Sequence, residues 1–173
     1  MAPPLARTNA EARLYLQLTR CPECAEPNAE FHAAVVDLNG TLVTRYSAVC
    51  PRCGAHRVHD FRLPDRVLPP PPAREGVRFG GAEPSLLLDP GVWLWYADDR
   101  AALARDSTDP AAARLLLATA VAAIDEVLKF LPSGADEVPE AAFVSPEGRF
   151  VRSGDPGRFT RANLTAERDR HRR

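Results

Sequence analysis

Hydrophobic and polar residues alternate along the first third of the chain, and this period of two is typical of half-buried β-strands. Leucines at every second position predict a strand over residues 14–18, and a weaker alternation predicts another over 55–63. Turn-forming residues separate these runs. The pattern therefore favours a small antiparallel sheet with one face towards a core.

A β-hairpin is predicted between these two strands. Alternating runs over 31–37 and 42–49 flank Asn39-Gly40, and this dipeptide suits a type I′ turn because both central positions need a positive φ. Pairing across the turn places these residues on one face, the candidate core face: Phe31, Ala33, Val35, Leu42, Tyr46 and Ala48. The opposite face, expected to be partly exposed, carries His32, Arg45 and Ser47 beside Val36 and Val43.

The second half of the chain changes to helical spacing. Hydrophobic residues recur at steps of three and four in the clearest predicted helix: Ala113, Leu117, Ala120, Ile124, Val127 and Leu131. Asp-Pro dipeptides at 89–90, 109–110 and 155–156 predict three helix starts. Aspartate can cap the first helical amides, and proline is tolerated at the first helical position.

The other helical boundaries are less clearly marked. The first Asp-Pro dipeptide opens a predicted helix over 92–104, for which a strand over 92–96 is the competing interpretation. The third opens a helix over about 157–170, and a short extended segment is expected near 143–151. These elements predict an α+β fold, with the sheet first and a mainly helical part after it.

Four consecutive prolines, Pro69 to Pro72, mark the expected domain boundary, because such a run favours a stiff polyproline II spacer. A docking peptide for an aromatic groove is the alternative interpretation. The predicted organisation is a disordered N-terminus (1–11), the sheet domain (12–63), a Pro/Gly-rich connector (64–84) and the helical domain (85–173).

The four cysteines form two pairs of equal spacing: Cys21-Pro22-Glu23-Cys24 and Cys50-Pro51-Arg52-Cys53. A two-residue gap lets both thiolates of a pair turn towards one point, and two pairs complete the tetrahedral shell of one structural zinc ion. Gly54 after the second pair supplies the permissive backbone of such a turn, whereas Ala25 stands at the equivalent position of the first. Two disulfides or four buried free thiols are the alternatives, but the repeated pattern favours zinc.

These paired knuckles resemble the zinc-ribbon fold group over residues 12–63. The resemblance implies a small antiparallel sheet held by one zinc ion per chain. Because four thiolates leave no open coordination position for water, the zinc is expected to be structural.

Charge argues against a nucleic-acid-binding protein. The formal net charge is −1, and residues 1–65 hold as many acids as arginines. Four thiolates on a divalent zinc would add about two negative charges. The arginine-rich tail, Arg168 to Arg173, is interpreted as a solvated helix end.

An aromatic cluster in the helical part is the candidate partner-binding surface: Trp93, Trp95 and Tyr96, followed by Asp98 and Asp99. Tryptophan and tyrosine are favoured anchors in protein interfaces. The same aromatic residues could instead fill the core of the second domain.

The expected function is non-catalytic protein binding, as an adaptor, a regulatory subunit or an inhibitor. None of the four histidines lies in a recognisable catalytic signature, so an enzyme is not expected. The alternative is a nucleic-acid-binding regulator that uses the ribbon and the arginine-rich tail. No apolar run has the length of a membrane span, and no export signal is evident, so the expected location is the cytoplasm.

Overall fold

A computed structural model of the chain describes residues 2–66, 68–69, 71–72 and 76–172. The chain divides into two compact units, Met1–Val67 and Leu68–Arg173. In their described parts, the first unit contains a three-stranded antiparallel sheet and one α-helix, and the second contains four α-helices. The predicted α+β class is therefore confirmed.

The sheet of the first unit consists of β1 (His32–Leu38), β2 (Thr41–Val49) and β3 (His56–Arg62), in the order β1-β2-β3. Asn39 and Gly40 have φ angles of 55° and 85°, and they join β1 to β2 with Leu38 opposite Thr41. These positive angles confirm the predicted hairpin turn.

The first helix, α1 (Asn9–Leu18), replaces the strand predicted over 14–18 and begins within the segment 1–11 that was predicted to be disordered. The Thr8 side chain caps α1 by accepting a hydrogen bond from the Glu11 backbone N–H. Leu14 and Leu16, about 200° apart around a helix axis, are both buried. The alternating leucines thus reflect a helix covered over much of its circumference.

Aromatic rings join α1 to the sheet. Tyr15 of α1 makes an edge contact with Phe61 of β3 at 5.7 Å between ring centroids, and Tyr46 of β2 contacts Phe61 at 5.8 Å. The predicted core face is only partly correct, because Val35 and Leu42 at its hairpin end are 63% and 56% exposed. Val43, assigned to the opposite face, is fully buried.

The second unit contains the helices α2 (Pro90–Asp106), α3 (Pro110–Leu128), α4 (Pro146–Gly154) and α5 (Arg161–His171). Asp89 and Asp109 cap α2 and α3 as predicted, so residues 92–96 are helical and not a strand. The third Asp-Pro dipeptide opens a 3₁₀ turn, Pro156–Phe159, and Thr160 then caps α5.

Two further predictions for the second unit are corrected. The extended segment expected near 143–151 is largely α4, whose start is capped by Ser145 with proline at the first helical position. Phe79, placed in the predicted connector 64–84, is buried and packs on Trp93 at 4.8 Å between ring centroids. Within the predicted spacer of four prolines, Pro70 lies outside the described residues.

Candidate metal centre

The two cysteine pairs lie in turns with the same backbone hydrogen bonds. In the first knuckle (residues 21–26), the Cys21 N–H donates to the Glu26 carbonyl at 2.9 Å, and the Ala25 N–H donates to the Cys21 carbonyl at 2.8 Å. In the second knuckle (50–55), the equivalent distances from Cys50 to Ala55 and from Gly54 to Cys50 are 2.9 and 3.0 Å. The sequence repeat is thus a repeat of local structure.

The knuckles bring four sulfur atoms together as the cysteine cluster: Cys21, Cys24, Cys50 and Cys53. All four Sγ atoms lie within 4.8 Å of one another, with 3.7 Å from Cys21 to Cys53 and 3.6 Å from Cys24 to Cys50. The thiols are free, which excludes the alternative of two disulfides in this structure. The cluster is positioned to bind one metal ion.

Local electrostatics differs among the sulfurs. Backbone N–H groups of Cys53 and Arg52 donate to the Cys50 sulfur and, against the effect of burial, lower the pKa of Cys50 to about 6. The Glu26 backbone acts to lower the pKa of Cys24, but burial and the neighbouring cysteine sulfurs outweigh it and raise this pKa to about 12. Because the sulfur atoms titrate together, a metal ion that binds near neutral pH displaces protons from the cluster as a whole.

Two arginines that sequence reasoning did not select hold the knuckles in place. The Arg57 guanidinium is buried, donates from Nη2 to the Thr19 carbonyl at 2.6 Å, and lies over the Phe31 ring. It thereby ties β3 to the residues just before the first knuckle. Arg52 donates from Nη1 to the Cys24 carbonyl at 3.4 Å and links the second knuckle to the first.

The fourth residue after each leading cysteine has a left-handed backbone, with φ of 59° at Ala25 and 75° at Gly54. We expect Ala25→Gly to stabilise the metal-loaded protein by about 1 kcal/mol, because glycine relieves the strain of a Cβ atom at positive φ. Gly54→Ala should destabilise it by about the same amount. No atom lies within 4 Å of a Cβ built on Gly54, so backbone strain is the only cause.

Chemical unfolding of the metal-loaded variants, followed by circular dichroism, measures both changes. If the glycine and alanine forms of the protein were equally stable at position 25 and also at position 54, the backbone would not be left-handed at these positions in solution.

The histidines near the cysteine cluster lie outside it. His59 packs its ring against Tyr15 and Phe31, and burial lowers its pKa, with the nearby Arg57 charge acting in the same direction. His56 is exposed. Among the described residues, the group of potential metal ligands contains the four cysteines alone.

The predicted partner-binding residues separate in the structure. Trp93 is fully buried beneath Phe79, so it belongs to the core of the second unit and cannot contact a partner. Trp95 is 46% exposed. Tyr96 is half-buried, with the Arg100 guanidinium over its ring. Trp95 is thus the aromatic residue of this cluster that remains accessible.

The two aspartates after the aromatic cluster are engaged within the chain. Arg158 forms a bidentate ion pair with Asp98, with N–O distances of 2.7 and 2.8 Å, and its Nη2 also contacts Glu167. Asp99 pairs with the neighbouring Arg100. Both carboxylates therefore have a structural role, and any contact with a partner would have to compete with these ion pairs.

A cleft of about 670 Å³ in the second unit was not predicted from the sequence. Its apolar lining comes partly from α3, including Leu117 and Val121, and partly from the segment before α2, including Val77 and Phe79. Its two acids lie on α3. Glu126 pairs with Lys129, and Asp125 pairs with Arg172. The cleft thus presents both acids as members of ion pairs.

No protein-family model matches the chain, and neither a curated protein nor a solved structure is significantly similar to it. In the described part of the chain, no helix is both long enough and apolar enough to cross a membrane.

Proposed function

We propose that the cysteine cluster holds one structural zinc ion. A tetrahedral zinc ion with Zn–S bonds of about 2.3 Å places its sulfurs about 3.8 Å apart. The closest sulfur pairs, at 3.6 and 3.7 Å, fit these edges. Four thiolates are also the ligand set of structural zinc sites, and the resemblance to a zinc ribbon supports the same ion.

We further propose that the protein is a non-catalytic interaction module, acting as an adaptor, a regulatory subunit or an inhibitor. A four-thiolate site has no open position for a water or substrate, so the proposed zinc supports the fold and performs no chemistry. The observation that carries the proposal is the exposed Trp95 on helix α2, since tryptophan is a preferred anchor of protein interfaces. A cytoplasmic location suits reduced thiolates and stays a prediction.

Nucleic-acid binding is the less favoured class because the basic tail is partly neutralised. Arg168 pairs with Asp125 and with Asp169, and Arg172 also pairs with Asp125. Phosphate recognition needs basic side chains that can release counterions from the nucleic acid. These two arginines would first have to leave their carboxylate partners.

Trp95→Ala should remove the partner without unfolding the protein. Because truncation of a central aromatic anchor typically weakens binding by about 2 kcal/mol or more, the tagged variant should capture far less partner from the native cell than the wild-type protein does. Leu115→Ala is the matched control, since Leu115 is also an exposed apolar residue, at 55%, but lies on α3. Quantitative mass spectrometry of the captured proteins measures the difference.

The same capture should persist after deletion of Arg168 to Arg173 and should change little with salt concentration. Capture of DNA or RNA that weakens steeply with salt, needs the tail and ignores Trp95→Ala would favour the nucleic-acid-binding class instead.

A further inference from the structure

The outer edge of β1 is an open edge of the sheet. Among the residues that the structure describes, β2 is the only strand that pairs with β1. The opposite edge is partly covered, because Arg62 of β3 donates its backbone N–H to the Pro4 carbonyl at 2.9 Å and forms a bridge with Leu5. Backbone groups along β1 are therefore available to another strand.

The sequence of β1 has few of the features that usually protect an edge strand, and Asp37 is its one acidic residue. Lysine, arginine and proline discourage edge pairing, and none of them occurs between His32 and Leu38. The first four residues of the strand are exposed, including Val35 at 63%. Such an apolar, exposed edge suits the addition of a further strand.

The hairpin turn determines which residues of β1 offer these backbone groups. In a two-residue hairpin, the pair that flanks the turn exchanges both backbone hydrogen bonds, and every second pair then does the same. Leu38 and the residues at even positions of β1 therefore bond to β2. Ala33, Val35 and Asp37 direct their N–H and C=O groups towards the open edge.

We propose that two copies of this chain pair through β1 as antiparallel strands around a two-fold axis at Val35. In this register Val35 of each copy lies opposite Val35 of the other, and Ala33 lies opposite Asp37. All backbone groups that face the open edge are then paired. An axis at Asp37 would instead oppose two carboxylates, and an axis at Ala33 would leave Asp37 without a partner in β1.

A second copy fits this edge because the strand is complementary to itself. The axis brings two exposed valines together, and it sets each Asp37 against an alanine and away from the other aspartate. The side chain of Leu42, 56% exposed and directly opposite Asp37 in the register of the sheet, lies on the same face and gains cover. Because a short strand buries less surface than a standard interface, the dimer is weak and concentration-dependent.

Sedimentation velocity of the metal-loaded full chain, over a wide range of micromolar concentrations, tests the proposal. The wild-type chain should form dimers as the concentration rises. V35K and V35E should each weaken the dimer about tenfold or more, because each places like charges directly opposite one another. An equal mixture of V35K and V35E should restore association, since opposite charges then meet at the axis. V58K is the matched control, because Val58 is also exposed, at 53%, but lies on β3.

Amide hydrogen exchange locates the interface independently of these variants. The amides of Ala33, Val35 and Asp37 should gain protection as the wild-type concentration rises. Circular dichroism at low concentration checks that V35K and V35E remain folded. A wild-type chain that stays monomeric, a dimer that leaves these three amides unprotected, or a charge-swapped mixture that fails to associate would each overturn the proposal.

Discussion

Removal of the metal ion is expected to unfold the sheet of the first unit. The knuckles, at residues 21–26 and 50–55, are separated along the chain by the whole hairpin, and the cysteine cluster is where their sulfurs meet. Without a metal ion, the four sulfur atoms lose the bonds that hold the two knuckles together, so the energy of metal binding contributes directly to folding. We expect metal analysis to find one zinc ion per chain. Treatment with a strong chelator should abolish the circular dichroism of the sheet.

The second unit provides an internal control for this experiment. Both tryptophans, Trp93 and Trp95, lie in the second unit, so tryptophan fluorescence reports on that unit alone. The fluorescence should change little when the metal is removed, because the buried Trp93 belongs to a separate core. A metal-free protein with an intact sheet would contradict the structural role of the metal.

Cys50→Ser should reproduce the effect of the chelator. Cys50 is a buried member of the cysteine cluster, and loss of one thiolate ligand should destabilise the first unit by several kcal/mol, on the order of the contribution of a structural site. Glu23→Ala, an exposed change inside the first knuckle, should stay within about 0.5 kcal/mol of the wild-type protein. Unfolding in urea, followed by circular dichroism, measures both variants.

The metal centre could be predicted from the sequence because its determinants are local. Each pair of cysteines lies within one turn. Because the spacing is repeated, the sequence predicts the same turn at both places. Asn39-Gly40 is likewise a local signal, since its two positive φ angles define the hairpin without any distant contact. One structural zinc ion needs four ligands and each knuckle supplies two, so the two knuckles are expected to lie close together in the fold.

The helices α1 and α4 were missed although both carry local signals. Thr8 and Glu11 have the spacing of a capping box before α1, and Ser145-Pro146 combines a capping residue with proline at the first helical position. The alternating leucines led to the wrong prediction of a strand. A helix that is buried on several sides can also bury residues two positions apart. For these two short segments, the capping residues were therefore better evidence of a helix than the periodicity of the hydrophobic residues.

Other features depend on tertiary packing and could not be predicted. Trp93 and Trp95 are two residues apart in one helix, and packing against Phe79 decides that Trp93 is the buried one. Arg57 is one of many arginines in the sequence, and nothing local indicates that its side chain reaches the Thr19 carbonyl. Asp89 was likewise predicted only in part. It was recognised as a helix cap, but its contact with Ser145, which is distant in sequence, was not.

Asp89→Ala is expected to cause the largest loss of stability in the second unit. The buried carboxylate accepts hydrogen bonds at Oδ1 from the backbone N–H groups of Gly91 and Val92 in α2, at 3.0 and 3.1 Å. Its Oδ2 accepts from the N–H and the hydroxyl of Ser145, the capping residue of α4, at 2.7 and 2.6 Å. One negative charge thus serves the positive ends of two helix dipoles.

Two glycines pack closely against this carboxylate and against each other. A Cβ built on Gly148 would lie 2.0 Å from Asp89 Oδ1, and one on Gly91 would lie 2.3 Å from the Gly148 carbonyl oxygen. Removal of the carboxylate therefore leaves several buried donors without partners. Because each donor to a charged group contributes about 1.5–3 kcal/mol, we expect Asp89→Ala to reduce the free energy of unfolding by about 3–5 kcal/mol.

Asp109→Ala is the matched control, because Asp109 is also the aspartate of an Asp-Pro helix start. Its side chain is exposed and accepts a single capping hydrogen bond, from the Ala111 N–H at 2.8 Å, so its loss should cost about 1 kcal/mol. Asp89→Asn keeps the volume of the side chain but removes its charge. It also replaces one of the two accepting oxygens with an NH₂ group, which cannot accept the hydrogen bonds donated to that oxygen. Unfolding of the three variants, followed by tryptophan fluorescence, should rank Asp89→Ala and Asp89→Asn well below Asp109→Ala in stability. Equal losses at Asp89 and Asp109 would show that Asp89 caps α2 alone and does not join it to α4.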